Sequence, residues 1–405
     1  MWRLAVAVLI CGVACAGPQA AQVSSPSPGA SPSSAVSASP RTSPQASGGV
    51  PSPTPRPGSS SLLFAALKAE GTANPTQWNT VVLAGLDGYE GTRATFKPMA
   101  IPYVACAPGA ALPTSAHVAA GKVFYAAGDG VIRSLAPGGH MATVATVPLT
   151  STQQMLSFAV KPDGTRLLAA IFTLPPGLPS GVECKGPLPQ FAAGDYTLDV
   201  YSAQSGGTSR LLYHEVLPSR STSLTEVMAF SGWDAVGPFG TFPTTWQLPG
   251  STQPFLGKPV RIDAATGRVV SDISDESCYV WDIAFTGDYV CTRGGTVGDI
   301  SVRHSDGSEV WGVTTDASSG GYSNAFLSPM GGRVLALTSN GLTQVMCWAA
   351  CLVPIAGSFT PKGWLDELTV IGSTPTGNLA YASIEATNGT LDLTFKGLFV
   401  GTVRQ

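Results

Sequence analysis

The chain is 405 residues long, only 12% of its residues are charged, and its formal net charge is −3. This composition excludes the basic surface with which nucleic-acid-binding proteins neutralise phosphates, so nucleic acid is not an expected partner. The chain also contains 47 glycines and 33 prolines, which favour turns, while long helical patterns of apolar residues are scarce. We therefore predict a large all-β domain with many short connections.

The first 17 residues have the layout of an export signal. Arg3 supplies the positive charge, residues 4–13 form an apolar run, and small residues follow. A run this short cannot span a bilayer permanently, because a spanning helix needs about 20 residues. The sequence therefore predicts that residues 1–17 are a signal peptide and that the protein is exported.

Two cleavage sites within this signal remain open. Residues 12–15 resemble a bacterial lipobox, which implies that Cys15 is acylated, becomes the mature N-terminus and anchors the protein to a membrane. The alternative is an A-x-A site that is cut before Gly17. Residues 18–61 are almost entirely Ser, Pro, Ala, Gly and Thr, so they cannot form a core and are predicted to be a disordered tether, or else a leader with no role of its own.

The folded domain is predicted over residues 62–405, starting with the short apolar run Leu62–Leu67, which we interpret as one helical turn. Its clearest element is Met155–Phe172, in which two apolar strands flank the turn Lys161–Gly164. Proline presets φ in this turn, and Asp-Gly tolerates positive φ. Degenerate copies of this hairpin recur and predict inner hairpins at 117–135, 155–172, 226–243, 280–292, 323–338 and 367–384.

Hairpins with polar tips, such as Arg261–Val269 and Ser301–Trp311, lie between these copies. An inner and an outer hairpin together make a four-stranded unit of roughly 40 to 55 residues, which is typical of a propeller blade. We therefore predict a β-propeller of four-stranded blades rather than a β-sandwich. The number of blades, six or seven, stays open because the hairpin Thr80–Phe96 either closes the last blade or belongs to a seventh.

The repeated blocks also carry a family resemblance. The segment Val160–Leu168, V-K-P-D-G-T-R-L-L, resembles the blades of bacterial exported TolB-like and WD-repeat-like propellers. The resemblance covers about Thr76 to Val403. It implies the propeller architecture and, by analogy, a binding role, but it implies no substrate.

Six cysteines lie outside the signal region, and an even number in an exported chain indicates disulfides. The simplest pairing joins Cys106 to Cys184, Cys278 to Cys291 and Cys347 to Cys351. Free or differently paired thiols remain the alternative. Because C-x2-C spacing and Cys/His groupings are absent, the sequence predicts no metal ligands and no cofactor.

Candidate binding residues lie in the segments that interrupt the repeat, which are Leu174–Gly194 and Ser231–Pro249. Trp233 and Trp246 offer flat apolar faces beside the carboxylate of Asp234, so we predict that these residues contact a ligand. The alternative is that the tryptophans pack between blades and that the aspartate serves a turn. No nucleophile elbow, P-loop or dinucleotide motif occurs, so no catalytic residue is predicted.

These observations favour an exported, monomeric propeller, tethered to the membrane if Cys15 is acylated, that binds a small ligand or a protein of the cell envelope. The alternative is a propeller-type hydrolase or lactonase with a metal or carboxylate site in the central funnel. The two hypotheses differ in whether Asp, Glu, His or Asn side chains converge on the propeller axis.

Overall fold

The structure, a computed structural model, describes residues 62–71, 78–99, 115–173, 195–217, 229–241, 256–294, 297–314, 320–348, 351–385 and 389–404. Every regular element in these ranges is a β-strand, and the 28 strands form seven antiparallel sheets of four strands each. The predicted all-β propeller is confirmed, and the number of blades is seven. The predicted signal peptide with Cys15 and the predicted tether over 18–61 lie outside the described residues.

The strands are numbered in chain order. Blade 1 contains β1 (Leu62–Lys68), β2 (Thr80–Gly85) and β3 (Glu90–Thr95). Blade 2 contains β4 (Ala116–Ala119), β5 (Lys122–Ala126), β6 (Val131–Leu135) and β7 (Met141–Thr146). Blade 3 contains β8 (Gln154–Val160), β9 (Arg166–Thr173), β10 (Tyr196–Gln204) and β11 (Arg210–Leu217). Blade 4 contains β12 (Ala229–Trp233), β13 (Pro238–Thr241), β14 (Pro259–Ile262) and β15 (Val269–Asp272).

The remaining blades follow the same order. Blade 5 contains β16 (Cys278–Ile283), β17 (Tyr289–Arg293), β18 (Asp299–Arg303) and β19 (Glu309–Val313). Blade 6 contains β20 (Tyr322–Leu327), β21 (Arg333–Thr338), β22 (Thr343–Cys347) and β23 (Leu352–Pro354). Blade 7 contains β24 (Thr360–Trp364), β25 (Thr369–Ser373), β26 (Asn378–Ser383) and β27 (Leu391–Lys396). The last strand, β28 (Leu398–Arg404), completes blade 1.

Neighbouring blades pack face to face, and this packing explains the apolar runs in the sequence. All residues of β9 from Leu167 to Phe172 are buried, because both faces of this strand contact another blade. A strand that is buried on both faces has no polar alternation. The outermost strand of blade 4, β15, is instead exposed at every position.

The predicted turn Lys161–Gly164 joins β8 to β9. Gly164 has a φ of +72° and donates its N–H to the carbonyl of Lys161 at 2.7 Å. The carboxylate of Asp163 accepts the N–H of Thr165 at 2.9 Å, which fixes the exit from the turn. The same contact, from a turn aspartate to the N–H two residues later, recurs at Asp87, Asp129, Asp263, Asp275, Asp306 and Asp366.

The two ends of the described domain close the ring. Strand β28 pairs with β1, so that Leu62 lies opposite Arg404. The prediction of a helical turn at Leu62–Leu67 is therefore wrong, because this short apolar run is paired on both sides, with β2 and with β28. The hairpin Thr80–Phe96 supplies β2 and β3, the two outer strands of blade 1. Together with β1 and β28 it forms the additional blade that brings the total to seven.

Two of the predicted inner hairpins are corrected by the structure. The hairpin predicted at 367–384 covers the second and third strands of blade 7, and the inner strand β24 escapes prediction because Pro361 and Gly363 disguise it. The predicted turn at Ser231 and Gly232 lies inside β12.

The strand directions define two faces of the propeller. The turn face carries the connections from first to second strand and from third to fourth strand in each blade, and it includes Leu62, where the chain enters β1. The loop face carries the connections from second to third strand and those between blades. All inner strands run from the loop face to the turn face.

The axis is lined by the inner strands β28, β4, β8, β12, β16, β20 and β24. Each inner strand is a sheet edge, so some of its N–H and C=O groups find no partner in their own sheet. Side chains of neighbouring blades bind these groups. The hydroxyl of Ser157 on β8 accepts the N–H of Phe230 on β12 at 2.9 Å, and the carboxylate of Asp282 on β16 accepts the N–H of Leu327 on β20 at 3.0 Å.

The next two junctions use donors instead of acceptors. The indole N–H of Trp364 on β24 donates to the carbonyl of Phe326 on β20 at 3.0 Å. The hydroxyl of Thr402 on β28 donates to the carbonyl of Trp364 at 3.3 Å. At these four junctions, a side chain on one inner strand forms a hydrogen bond with the backbone of the neighbouring inner strand.

Candidate functional site

Trp233, a predicted ligand contact, ends β12 on the turn face. Its side chain is partly buried and packs on the core cluster between blades 3 and 4, whose other partly buried members are Leu212, Tyr213 and Ala264. This position fits the alternative that the sequence left open, packing between blades.

Asp234, the second predicted contact, is only 3% exposed. Its Oδ1 accepts the N–H of Val236 at 2.8 Å and that of Gly237 at 3.0 Å. The Nη1 of Arg261 lies 2.8 Å from Oδ1 and 2.7 Å from Oδ2. The carboxylate therefore holds a turn and a neighbouring strand, and its contact with a ligand stays a prediction.

The segment Ser231–Pro249, predicted as one insertion, contains the end of β12 and the whole of β13. Strand β13 begins at Pro238 beside Trp233 and ends on the loop face at Thr241, opposite Ala229. The hairpin predicted at 226–243 already includes this strand, and the structure places its start at Pro238. Trp246 and the insertion Leu174–Gly194 lie outside the described residues, so their contact with a ligand stays a prediction.

Two of the three predicted cysteine pairs are disulfide-bonded in the structure. Cys278 and Cys291 join β16 to β17 with their Cα atoms 5.6 Å apart. Cys347 and Cys351, whose Cα atoms are 5.3 Å apart, close the turn between β22 and β23. Cys106 and Cys184 lie outside the described residues. Disulfides are typical of proteins in oxidising compartments.

The inner strands of five consecutive blades contain a β-bulge, in which one extra residue lies opposite the second strand. Bulges redirect side chains and are common beside functional sites. The extra residues are all partly exposed, and they are Ser231, Trp281, Ser323, Lys362 and Val400. The axis between blades 4 and 1 is therefore lined by redirected side chains.

Two titratable groups on the inner strands have strongly altered acidity. Burial raises the pKa of Asp282 from 3.8 to about 7, although the backbone N–H groups of Leu327 and Ile283 favour its charged form. Burial lowers the pKa of His117 on β4 from 6.5 to about 4, so its ring is neutral at pH 7. That ring stands edge-on to Phe158 with centroids 4.9 Å apart.

Metal ligands do not converge in the described part of the chain. No three His, Cys, Asp or Glu side chains form a group that could hold a metal ion among those residues. In the same ranges, no helix is long and apolar enough to cross a membrane.

The turn face of blades 4 to 6 exposes four large apolar side chains, which we call the turn-face patch. They are Val236, Phe285, Met330 and Trp348, and their exposed fractions are 56%, 59%, 72% and 73%. The first three occupy turns between first and second strands of consecutive blades. Trp348 follows Cys347 in the disulfide-closed turn of blade 6.

Direct contacts between the turns hold the patch in place. The N–H of Ala235 donates to the carbonyl of Phe285 at 2.8 Å and joins the turns of blades 4 and 5. The carboxylate of Glu367 in blade 7 accepts the N–H of Met330 at 2.6 Å. Since Arg333, just after the Met330 turn, pairs with Cys347, the Trp348 turn stands beside it. The patch is therefore part of a hydrogen-bonded frame.

Sequence reasoning missed the patch, although a signal was present. Phe285 precedes Thr-Gly-Asp, and Met330 precedes Gly-Gly, so each is an apolar residue inside a turn. Turn residues at the surface are usually small or polar. The bulged residues gave no comparable signal, because a bulge depends on the register with the next strand.

No family model matches the chain, and no curated protein matches it. Among solved structures, the Dos1 propeller is similar with a TM-score of 0.40 and 11% identity, covering 79% of this chain and 79% of that chain. The mitotic checkpoint complex gives a TM-score of 0.41 and 12% identity over 74% of this chain and 81% of that chain. An oligogalacturonate lyase from Vibrio parahaemolyticus is similar with a TM-score of 0.45 and 11% identity, covering 80% of this chain and 91% of that chain.

These likenesses carry no functional argument, and the fold assignment rests on the sheet order itself. Seven four-stranded blades with a ring closed by β1 and β28 define a seven-bladed β-propeller. The finer resemblance to TolB-like proteins stays a prediction. The fold is suited to a binding module, because rigid strands hold many turns at two faces.

The buried position of Asp234 generates a test of its role. We expect Asp234→Ala to lower the free energy of unfolding by about 3 kcal/mol, because it leaves the buried charge of Arg261 without a counter-charge. Urea unfolding followed by circular dichroism measures this loss. The control is Asp163→Ala in an exposed turn, which should have a much smaller effect. Equal effects of the two substitutions would show that Asp234 is not a structural anchor.

Proposed function

We propose that the protein is an exported β-propeller, anchored to the membrane through Cys15, that binds a protein of the cell envelope through the turn-face patch. The observation that carries this proposal is the exposure of four large apolar side chains on one hydrogen-bonded frame. Clusters of exposed apolar residues mark interaction sites. Aromatic residues and Met are also enriched in protein interfaces.

The charges around the patch favour a protein partner over a lipid surface. Asp288 follows Phe285 in the same turn, and its Oδ1 lies 3.1 Å from the Nδ1 of His304. Glu367 borders Met330, and Asp306 lies in the adjacent outer turn of blade 5. A bilayer with anionic lipids would repel this acidic rim. A protein with an apolar centre and a basic rim would complement it.

The position of the chain entry agrees with this arrangement. The chain enters β1 at Leu62 on the turn face, the face that carries the patch. Between Cys15 and Leu62 there are 46 residues. As the disordered tether that the sequence predicts, these residues would have a root-mean-square span of about 40 Å. The partner is therefore expected near the membrane to which Cys15 is attached.

The anchor is tested by Cys15→Ala. We expect this substitution to prevent acylation and to release the protein from membranes into the medium, as measured by fractionation and by mass spectrometry of the mature N-terminus. Unchanged membrane retention, or a mature N-terminus at Gly17 in the wild type, would contradict the anchor without touching the binding surface.

The binding surface is tested with the double variant Phe285→Ser/Trp348→Ser in a pull-down from envelope extract. An aromatic residue at the centre of an interface contributes about 2 kcal/mol or more, so we expect at least a roughly 30-fold loss of affinity. The matched control is Val297→Ser/Leu342→Ser, two exposed apolar residues on the loop face. Thermal unfolding checks that both variants remain folded.

Equal capture by the two double variants would exclude the turn-face patch. Loss of capture in Trp246→Ala, or after shortening of Leu174–Gly194, would instead assign binding to these predicted insertions. The hydrolase or lactonase alternative remains a hypothesis, to which the described residues add no group of metal ligands.

A further inference from the structure

Lys362 occupies an unusual position on the axis. It is the extra residue of the β-bulge in the inner strand β24, between Pro361 and Gly363. Desolvation lowers the pKa of its ammonium group, and no charged or hydrogen-bonded neighbour among the described residues offsets this effect. A cation that is withdrawn from water without a counter-charge is costly, and proteins rarely keep one without a reason.

An orphaned donor lies on the adjacent inner strand, β20. Asn324 is only 2% exposed, and its side-chain Nδ2 finds no hydrogen-bond partner among the described residues. Asn324 shares the side of β20 with Phe326, which packs in one cluster with Trp364 of blade 7. The amide of Asn324 is therefore on the side of β20 that faces the blade of Lys362.

A hydrogen bond between the two strands indicates that the two residues lie at similar depths along the axis. The indole of Trp364 on β24 donates to the carbonyl of Phe326 on β20, which aligns these two positions. Both strands run from the loop face to the turn face, and each residue advances a regular strand by about 3.3 Å, and by less at the bulge of Lys362. Lys362 lies two residues before Trp364 on β24, and Asn324 lies two residues before Phe326 on β20. Both are therefore displaced toward the loop face.

We propose that Lys362 and Asn324 form a binding site on the propeller axis for the carboxylate group of a small organic acid. The ammonium group of Lys362 and the Nδ2 of Asn324 are both hydrogen-bond donors, so the ligand must supply acceptor oxygens. The single positive charge of Lys362 balances one carboxylate, whereas a phosphate dianion would leave an uncompensated negative charge in a poorly solvated place. The bulges at Ser323 and Lys362 add backbone groups that the strand ladder does not use.

This site is independent of the turn-face patch. It uses other residues at the axis, and it requires neither export nor a protein partner. The two proposals therefore succeed or fail separately.

Acetate labelled with 13C is the probe for this site. In an NMR titration, the wild type should bind acetate, and its melting temperature should rise with acetate concentration, because a ligand that binds only the folded state stabilises it. Chloride at the same ionic strength serves as the salt control. We expect Lys362→Met to weaken acetate binding at least tenfold and to abolish the stabilisation.

The same variant gives a second signature. Without acetate, Lys362→Met should melt at a higher temperature than the wild type, because it removes a desolvated charge that has no partner. The matched control is Lys122→Met, an exposed lysine on β5, which should change neither quantity. Asn324→Leu should weaken acetate binding while the charge of Lys362 remains. If Lys362→Met fails to fold, the acetate affinity of Asn324→Leu tests the proposed site in its place. Absence of acetate binding in the wild type, or equal affinity in these variants, would overturn the proposal.

Discussion

The innermost strand of each blade is a sheet edge, and the need to satisfy that edge is the constraint on which the rest of the structure depends. Unpaired N–H and C=O groups either attract a foreign strand or cost free energy when they are buried. In this propeller, side chains of a neighbouring blade bind some of these groups, as Ser157 does for Phe230 and Asp282 does for Leu327. Polar residues such as Ser157 and Asp282 on the inner strands are thus used for hydrogen bonds between blades.

The same ring determines where a ligand or partner can bind. Because neighbouring inner strands run in one direction and are bonded at known positions, groups from different blades meet at fixed depths, as Trp364 and Phe326 do. Bonds between turns, such as that from Ala235 to Phe285, hold apolar side chains out on the turn face. The axis and the turn face are therefore two separate surfaces of one rigid frame, with different chemistry.

Local patterns in the sequence predicted much of the fold, because turn chemistry and apolar runs are local. The hairpin around Lys161–Gly164 formed as expected from its Pro-Asp-Gly turn. Strand β1 could not be recognised, because its partner Arg404 lies at the far end of the chain. Asp234 looked available beside Trp233, yet its burial depends on Arg261, which belongs to a different strand. Sites fail to appear in the sequence when register and distant partners create them.

Amide hydrogen exchange at Phe230 and Leu327 tests the central claim, that neighbouring blades satisfy the inner edges. Both N–H groups lie on strands that line the axis, and each is bound by a side chain of another blade. We expect both to exchange as slowly as amides of a central strand, such as that of Leu168, and we expect Ser157→Ala to accelerate Phe230 alone. Rapid exchange of both amides in the wild type, at the rate of an exposed turn, would contradict it.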